Sequence, residues 1–576
     1  MTAVQQLDTD ILILGAGGAG LFAALHAKKA APELDVTIAV KGLLGKCGCT
    51  RMVQGGYNVA LAEGDSVERH FMDTIEGGKW LNNQDLAWLL VTEAQVRIRE
   101  LENDLGCFFD RNPDGTVHQK AFAGQTFDRT VHKGDLTGIE IVNRLAEQVW
   151  RRDVRRLEDH RAVDLIPAAD GSGVAGVLML DMRTGAPLMV RAKATLLATG
   201  GGPTMYKYHT PSGDKTCDGL AMALRAGLPL RDMEMVQFHP TGLLAGPGTR
   251  MTGTVLEEGL RGAGGYLTDA TGERFMFAYD ERDERATRDI VSRSIEDRIR
   301  KGFGTPHGGV YIEMAHLGPD SVRRAFKGMV ERCSDCGFDL AAGRVEVVPT
   351  AHYMMGGVVF DAKCRTPMRR LFAAGEDTGG VHGANRLGGN GVANSTVFGG
   401  LAGDAMAPFV RKHGALPDPD RGAIDAALDR LEAPFRATPG DVNAIREALY
   451  DAMWDDVGIL RNPEGLARGA RKLHELDEAL GRTGVPDGSR PFNLSWHDWL
   501  NLKSLILVSR AIAAAALERT DSRGAHYRED NPDTGELTKS RYTVARLSGD
   551  HIVVDTEPVS FTRIHPGETL LDKQVA

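Results

Sequence analysis

DILILGAGGAGLFAALHAKKA, residues 10–30, is a short apolar run that breaks into Gly15-Ala16-Gly17-Gly18-Ala19-Gly20 and resumes as an apolar, helix-forming segment. That order is strand, tight turn, helix, and with the apolar residues 35–40 it predicts a βαβ unit. Gly15 permits the turn, Gly17 lets backbone approach a pyrophosphate, and Gly20 lets the helix pack on the strand. The helix N-terminus then faces the phosphates. A GxGxxG turn alone is weak evidence; its place at a strand–helix junction gives it weight. Where an acidic residue would hold the adenosine ribose, the second strand ends Ala39-Val40-Lys41, which argues against plain NAD binding.

Two later segments, residues 195–202 (TLLATGGG) and 371–376 (LFAAGE), repeat the pattern of a buried strand running into glycine. A parallel sheet assembled from distant parts of the chain explains this. Between them, from Val236 to Glu346, lies a segment rich in Gly, Arg, Asp and Glu that reads as an insertion. After Pro417 helical periodicity dominates. Beyond Asp530 the chain is polar and turn-rich, read as a tail lying over other parts.

With 576 residues the chain is long enough for about three or four domains. A net charge of -10 gives nucleic acid no general electrostatic reason to bind. The N-terminus, with Asp8 and Asp10 and no basic segment, does not read as a signal peptide, so a cytoplasmic protein is expected. Leu505 to Leu517, the most apolar helical segment, is interrupted by Ser509 and Arg510 and is short of the ~20 residues a bilayer needs, so no direct membrane insertion is expected. Seven cysteines without framework spacing fit a reducing compartment. Cys333-Ser334-Asp335-Cys336 has no second CxxC to complete a metal site, and none is expected.

The chemistry concentrates in four clusters: residues 237–242 (QFHPTG), 256–262 (LEEGLRG), 287–289 (TRD), and 352–357 (HYMMGG) with 382–390 (HGANRLGGN). Histidines and arginines among glycines suit an anion-binding cleft, because Arg pairs bidentately with carboxylates and Gly permits close approach. Singly, each has a structural explanation: His239 could cap a turn, Arg288 could pair with Asp289, and His352 could be a satisfied core histidine.

Together the motifs GAGGAG, QGGYNVAL, ATGGG, QFHPTG, EGLRGAGGYL, GERFM, TRDIVSRSI, PTAHYMMGG, AAGED, HGANRLGGN and DSRGAHYRED run in order from residue 10 to residue 530. In this the chain resembles the flavoprotein subunit of succinate dehydrogenase and fumarate reductase, and its relative L-aspartate oxidase. The resemblance implies an α/β Rossmann-type FAD-binding domain (1–235 and 347–415), an inserted α+β capping domain (236–346), a C-terminal helical domain (416–530) and a tail (531–576). It places Gly15, Gly17 and Gly20 under the FAD pyrophosphate. Lys41, Cys49, Thr50, Gln54, Gly55, Gly56, Asp218, Glu376 and Asn390 match positions around adenosine, ribityl chain or isoalloxazine, and the family also has a lysine at the Lys41 position.

The same resemblance puts substrate between flavin and cap. His239 binds one carboxylate, and His352 and Arg386 bind the other. Arg288 is the proton donor or acceptor, with Glu258 and Arg261 as its relay; a guanidinium does not rest neutral near pH 7, so the relay belongs to the reaction. The implied chemistry is hydride transfer between a substrate carbon and flavin N5, as dehydrogenase or ene-reductase.

Two positions depart from the family. Glu257 stands where threonine is common, and an ionised carboxylate about 4 Å from a substrate carboxylate costs about 4 kcal/mol at an effective dielectric near 20. Either the substrate is not simple succinate and carries a hydroxyl or amine at that end, or Glu257 is protonated, or it turns away to pair with an arginine. Cys49 stands where the dehydrogenases carry a histidine bonded to the flavin 8α carbon. Non-covalent FAD is the expectation, with a cysteinyl thioether as the chemical alternative. Other functional readings are an L-aspartate oxidase-like amino-acid oxidase, and an electron-transfer subunit of a fumarate reductase-like complex. DSRGAHYRED resembles members that work with an iron–sulfur subunit, so an iron–sulfur or ferredoxin-like partner is in view. Cys47 has no role in this reading.

Overall fold

Ile11 to Leu14 are at most 1% exposed, each a burial of about 1.5–3 kcal/mol, and they anchor the central sheet. The computed structural model describes residues 4–246, 249 and 251–571. β1 (Gln5–Leu14) runs through the glycine turn into α1 (Gly18–Ala30) and β2 (Val36–Ala39), which pairs parallel to β1. On the other side β1 pairs parallel with Pro187–Leu197, whose far end pairs parallel with Leu371–Ala373. The two segments with repeated strand-to-glycine patterns thus meet in one sheet, in the register Thr195 to Leu371. Antiparallel strands Val174–Asp181 and His160–Pro167 complete it on that side. The fold class is the Rossmann-type α/β arrangement with an inserted α+β part and a helical C-terminal part.

The inserted part is built on a second, antiparallel sheet in the order Val236–Leu243, Arg344–Met354, Val310–Glu313, Tyr266–Thr268. The expected first boundary coincides with the start of Val236–Leu243. The second, at 346/347, falls inside Arg344–Met354, because that strand runs unbroken from the cap toward the base. The pairing of these two strands is interrupted by bulges at Gln237/Phe238 and His239/Gly242. Pro240, which has no N–H to give to a ladder, sits in the second bulge.

The helical part holds Arg421–Arg436, Val442–Asp451, Pro463–Arg482 and Leu494–Glu518. The last corrects the sequence reading: it continues for 25 residues, long and apolar enough to span a bilayer. It is a core helix instead, with Trp496, Leu502, Ile506, Val508 and Ile512 at 0% exposure. The tail, expected to lie over other parts, contains regular structure. Arg541–Ser548 and His551–Pro558 form a hairpin that pairs with Leu230–Arg231 of the base. The first strand buries Tyr542, Thr543, Val544 and Ala545 in succession, before a turn whose Gly549 has φ +59°. Cys333 is buried in the cap core, and Cys336 lies just past the end of its helix, Lys327–Asp335.

Candidate active site

The paired strands of the cap bring the two motif histidines together. His239 and His352 lie with ring centroids 5.5 Å apart. Thr241 N–H donates to His239 Nδ1 at 3.3 Å, which leaves Nε2 to carry the proton. Thr210 Oγ1 is 2.8 Å from His352 Nδ1. Burial, and then the field of Arg288, hold both imidazoles well below the usual histidine range, so both are neutral hydrogen-bonding groups near pH 7.

Arg288 opens the helix Arg288–Arg298 and is 7% exposed. Its Nη2 donates to Glu258 Oε2 at 2.6 Å, its Nε to the same oxygen at 3.1 Å, and its Nη1 to Gln237 Oε1 at 3.1 Å. Arg261 Nη2 reaches the other oxygen of Glu258 at 3.2 Å, so the carboxylate bridges two guanidinium groups. Burial would raise the Glu258 carboxyl, but Arg288 and Arg261 outweigh it and hold it below its ordinary value. Gln237 Nε2 in turn donates to Arg386 O at 2.7 Å, tying Arg288 to the loop that carries Arg386.

Arg386 is 5% exposed, with its guanidinium 4.5 Å from the Tyr353 ring centroid. Among the described residues its Nε is buried without a protein partner, a donor open to an anion. Burial and Arg288 bring Arg386 down to about 10, which still leaves it charged near neutral pH. Ala525 N–H donates to Ala384 O at 2.8 Å, so the DSRGAHYRED segment braces this loop from behind.

Glu257 lines the same cleft, 6% exposed, and its Oε2 is 3.2 Å from Lys120 Nζ. Its partner is therefore a lysine of the base rather than an arginine, and the bridge crosses from base to cap. The repulsion argued from an uncompensated Glu257 is offset by that ammonium.

The cleft has a volume of about 410 Å³ and runs from these groups to the glycine turn. A smaller arm of about 60 Å³ continues past Gly15 to Lys41 and Asp218. The donor set fits a flavin dinucleotide. A Cβ on Gly15 would stand 2.1 Å from Ala198 O and one on Gly20 1.9 Å from Gly15 O, so the turn tolerates only glycine there. At Gly17 a Cβ would meet only Thr50 Oγ1, at 3.4 Å, which leaves bare backbone facing the cleft. α1 has no side-chain cap from its N-cap residue Gly17 and no acidic residue in its first turn, so its dipole faces the cleft uncompensated by charge. Gly18 N–H donates to Thr50 Oγ1 at 3.0 Å.

At the far end Lys41 Nζ is 2.9 Å from Asp218 Oδ2, so the acidic group missing from β2 arrives from the helix Asp218–Arg225. Glu376 accepts from Met354 N–H at 3.0 Å, and burial raises its carboxyl to about 7. Gly55 and Gly56 need their lack of Cβ: one would stand 2.5 Å from the Phe122 ring, the other 2.3 Å from Val131 O. Gln54, with its amide turned to satisfy its neighbours, accepts from Arg332 of the cap at 3.0 Å from Nη2.

Asn390 differs from the sequence expectation. Its side chain is spent behind the cleft, accepting from Asn58 Nδ2 at 2.9 Å and sharing a 3.0 Å bond with His70 Nε2. It fixes the start of the helix Asn390–Lys412 beside the cleft. Cys49 lines the cleft; Cys47 lines the smaller arm with its Sγ 3.4 Å from Leu43 O. Sequence reasoning missed Lys120, Lys215 and Arg332, three cations that motif matching passes over because each lies outside the motifs.

Residues 10–392 match the family described as FAD binding domain, and residues 446–570 match fumarate reductase flavoprotein C-term. The chain is 40% identical over 534 residues to a chain of the fumarate reductase (CoM/CoB) of Methanothermobacter marburgensis, covering 92% of this chain and 95% of that one. It is 34% identical over 598 residues to the fumarate reductase flavoprotein subunit of Escherichia coli, covering 98% and 97%. A solved structure of the E. coli quinol fumarate reductase flavoprotein superposes with a TM-score of 0.91 at 33% identity, over 98% of this chain and 99% of that chain. With both ends of the chain matched and the cleft built for a flavin dinucleotide, this chain belongs to the succinate dehydrogenase/fumarate reductase flavoprotein family and is an FAD-dependent oxidoreductase.

Proposed function

We propose that the cleft reduces the double bond of a small dicarboxylate, fumarate being the simplest, or runs the reverse oxidation. The observation that carries this is the gathering of two neutral imidazoles with Arg288 and Arg386 at one end of the cleft, with Arg386 Nε unpartnered. Bound FAD supplies the two-electron hydride chemistry. The residues of the chain do the rest. His239 and His352 hydrogen-bond the two carboxylates, and Arg386 neutralises one and stabilises charge developing on it. Arg288 holds the proton delivered to the neighbouring carbon, and Glu258 with Arg261 returns one, so the guanidinium never rests neutral.

With Lys120 beside Glu257, a plain dicarboxylate is compatible with that wall. Steady-state assays should give turnover with fumarate as acceptor, and Lys120→Met should raise KM for fumarate about 10-fold or more by leaving the carboxylate unpaired. The double variant Lys120→Met/Glu257→Thr should restore it. A KM unmoved by Lys120→Met removes Glu257 from the substrate wall. A second reading is an amino-acid oxidase: Glu257 Oε1 lies free of Lys120 and could accept from a substrate ammonium. Peroxide release with L-aspartate, in place of fumarate turnover, would support it.

FAD is proposed to be non-covalent, because burial and then Glu376 push the Cys49 thiol up, away from the thiolate a thioether would need. Denatured protein should release all its flavin to the supernatant; flavin retained on the chain would establish the thioether. An iron–sulfur or ferredoxin-like protein is proposed to exchange electrons at the cleft mouth, where Met52 and Leu136 are 43% and 53% exposed. A cytoplasmic setting is proposed, on the seven cysteines without framework spacing in the sequence.

A further inference from the structure

Where the large and small arms of the cleft meet, two residues line both: Gly17 and Lys215. A dinucleotide lying along the two arms must pass its pyrophosphate through that neck. On one side the neck offers the bare backbone of Gly17 at the start of α1. On the other it offers an ammonium.

The two lysines facing the cleft are in opposite states. Lys41 Nζ is committed to Thr216 Oγ1 at 2.8 Å, Asp218 Oδ2 at 2.9 Å and Asn501 Oδ1 at 3.2 Å. Lys215 Nζ donates to one protein acceptor among the described residues, Thr199 O at 2.6 Å. Two of its three N–H groups are therefore free for a ligand. Its path is cut to fit: a Cβ on Gly200 would lie 2.8 Å from Nζ, and one on Gly48 3.6 Å from it. Burial would pull the ammonium down, but the acidic groups around it, Asp214, Glu376 and Asp377, outweigh it, so the charge is kept.

We propose that Lys215 is a further FAD-holding residue whose ammonium pairs with the pyrophosphate at the neck between the two arms. The glycine turn supplies backbone dipoles, and Lys215 supplies the full charge that those dipoles lack. This hold acts whether or not Cys49 is bonded to the isoalloxazine, and it requires no particular substrate.

The test uses the Cys49→Ala holoenzyme, so that a thioether cannot hide the effect, with Lys215 intact, Lys215→Met or Lys215→Arg. FAD released on dilution gives its dissociation constant, and displacement of FAD by ADP or by adenosine separates the pyrophosphate from the adenosine. Lys215→Met should weaken FAD and ADP in parallel, by about 10- to 100-fold for a charge-assisted hydrogen bond, and leave adenosine unchanged. Lys215→Arg should recover most of the loss. With Lys215 intact, ADP affinity should fall as salt rises, a readout that does not depend on a variant folding. Unchanged ADP affinity in Lys215→Met, equal weakening of adenosine, or an ADP affinity insensitive to salt would each overturn the proposal.

Discussion

Replacing Arg288 by glutamine is expected to lower fumarate turnover by about 10³- to 10⁴-fold while leaving the flavin spectrum and melting temperature close to those of the parent. The side chain does two things at once. In the proposed reaction it holds the proton for the substrate carbon, and its charge sits beside the carbon framework where negative charge grows. Glutamine keeps a hydrogen-bond donor near Gln237 Oε1 but has neither the proton nor the charge. Glu258 still has Arg261 at 3.2 Å, so the fold around it keeps one of its two ion pairs. The loss should fall on kcat more than on KM, since carboxylate binding is proposed for His239, His352 and Arg386. A variant that keeps a tenth or more of parental turnover would remove Arg288 from the reaction.

The largest stability effect is expected at Arg129, which is 0% exposed. Its Nε and Nη2 donate to the two oxygens of Asp65, each at 3.0 Å, and its Nη1 reaches Asp73 Oδ2. Asp73 Oδ2 also accepts from Thr126 N–H at 3.0 Å. Arg129→Met leaves two buried carboxylates without a cation, and breaking a buried pair in this way costs about 3–5 kcal/mol. Against a typical total of about 5–15 kcal/mol that is a large share. Arg129→Lys should recover only part of it, because an ammonium cannot make the forked contact.

The damage should begin locally. Arg129 lies beside the small sheet of Tyr57–Asn58, Thr130–Val131 and Gln119–Lys120, which carries Lys120 and leads to Phe122. Limited proteolysis between residues 119 and 131 should therefore accelerate before the denaturation midpoint of the whole chain shifts. Unchanged cleavage and midpoint would show that the two aspartates find other partners.

The glycine turn and the two cleft histidines were legible because each motif carries its own geometry. Gly15 and Gly20 can be replaced by no larger residue without striking backbone, and that constraint is written in the local sequence. QFHPTG and PTAHYMMGG were legible as candidate ligands, though not as neighbours, because only strand pairing brings them together. The ion pair of Lys120 with Glu257 was not legible. It depends on how a hairpin of the base packs under the cap, and a lysine in QKAF looks like any solvated charge. The same holds for Lys215, whose meaning comes from lying where two arms of a cleft join.

Asn390 shows what a motif position alone leaves out. Its amide oxygen is taken by Asn58 and His70 and one Nδ2 hydrogen by Thr74, all behind the cleft, and only the packed fold shows those partners. The long helix Leu494–Glu518 is interrupted in the sequence by Ser509 and Arg510, which read as polar breaks. In the fold Ser509 is 0% exposed and Arg510 pairs with Asp477 at 2.8 Å, so neither residue ends the helix.

The segment from Cys47 to Gly56 takes its meaning from its neighbours in the fold. Cys49 lies in the cleft among groups that keep its thiol protonated, while Gln54 is held from the cap by Arg332. Cap and cofactor loop are thus linked directly, and Lys120 with Glu257 adds a second bridge between base and cap.

The most direct measurement is anaerobic: holoenzyme reduced by two electrons is mixed with one equivalent of fumarate, and the flavin absorbance is followed while succinate is assayed. No electron-transfer partner takes part, so the result reports on this chain alone. The expected result is full reoxidation with one succinate formed per flavin, slowed by Arg288→Gln and by Arg386→Gln. A flavin that stays reduced in the presence of fumarate, yet binds in full and is reoxidised by oxygen, would contradict the assignment of this cleft to dicarboxylate reduction.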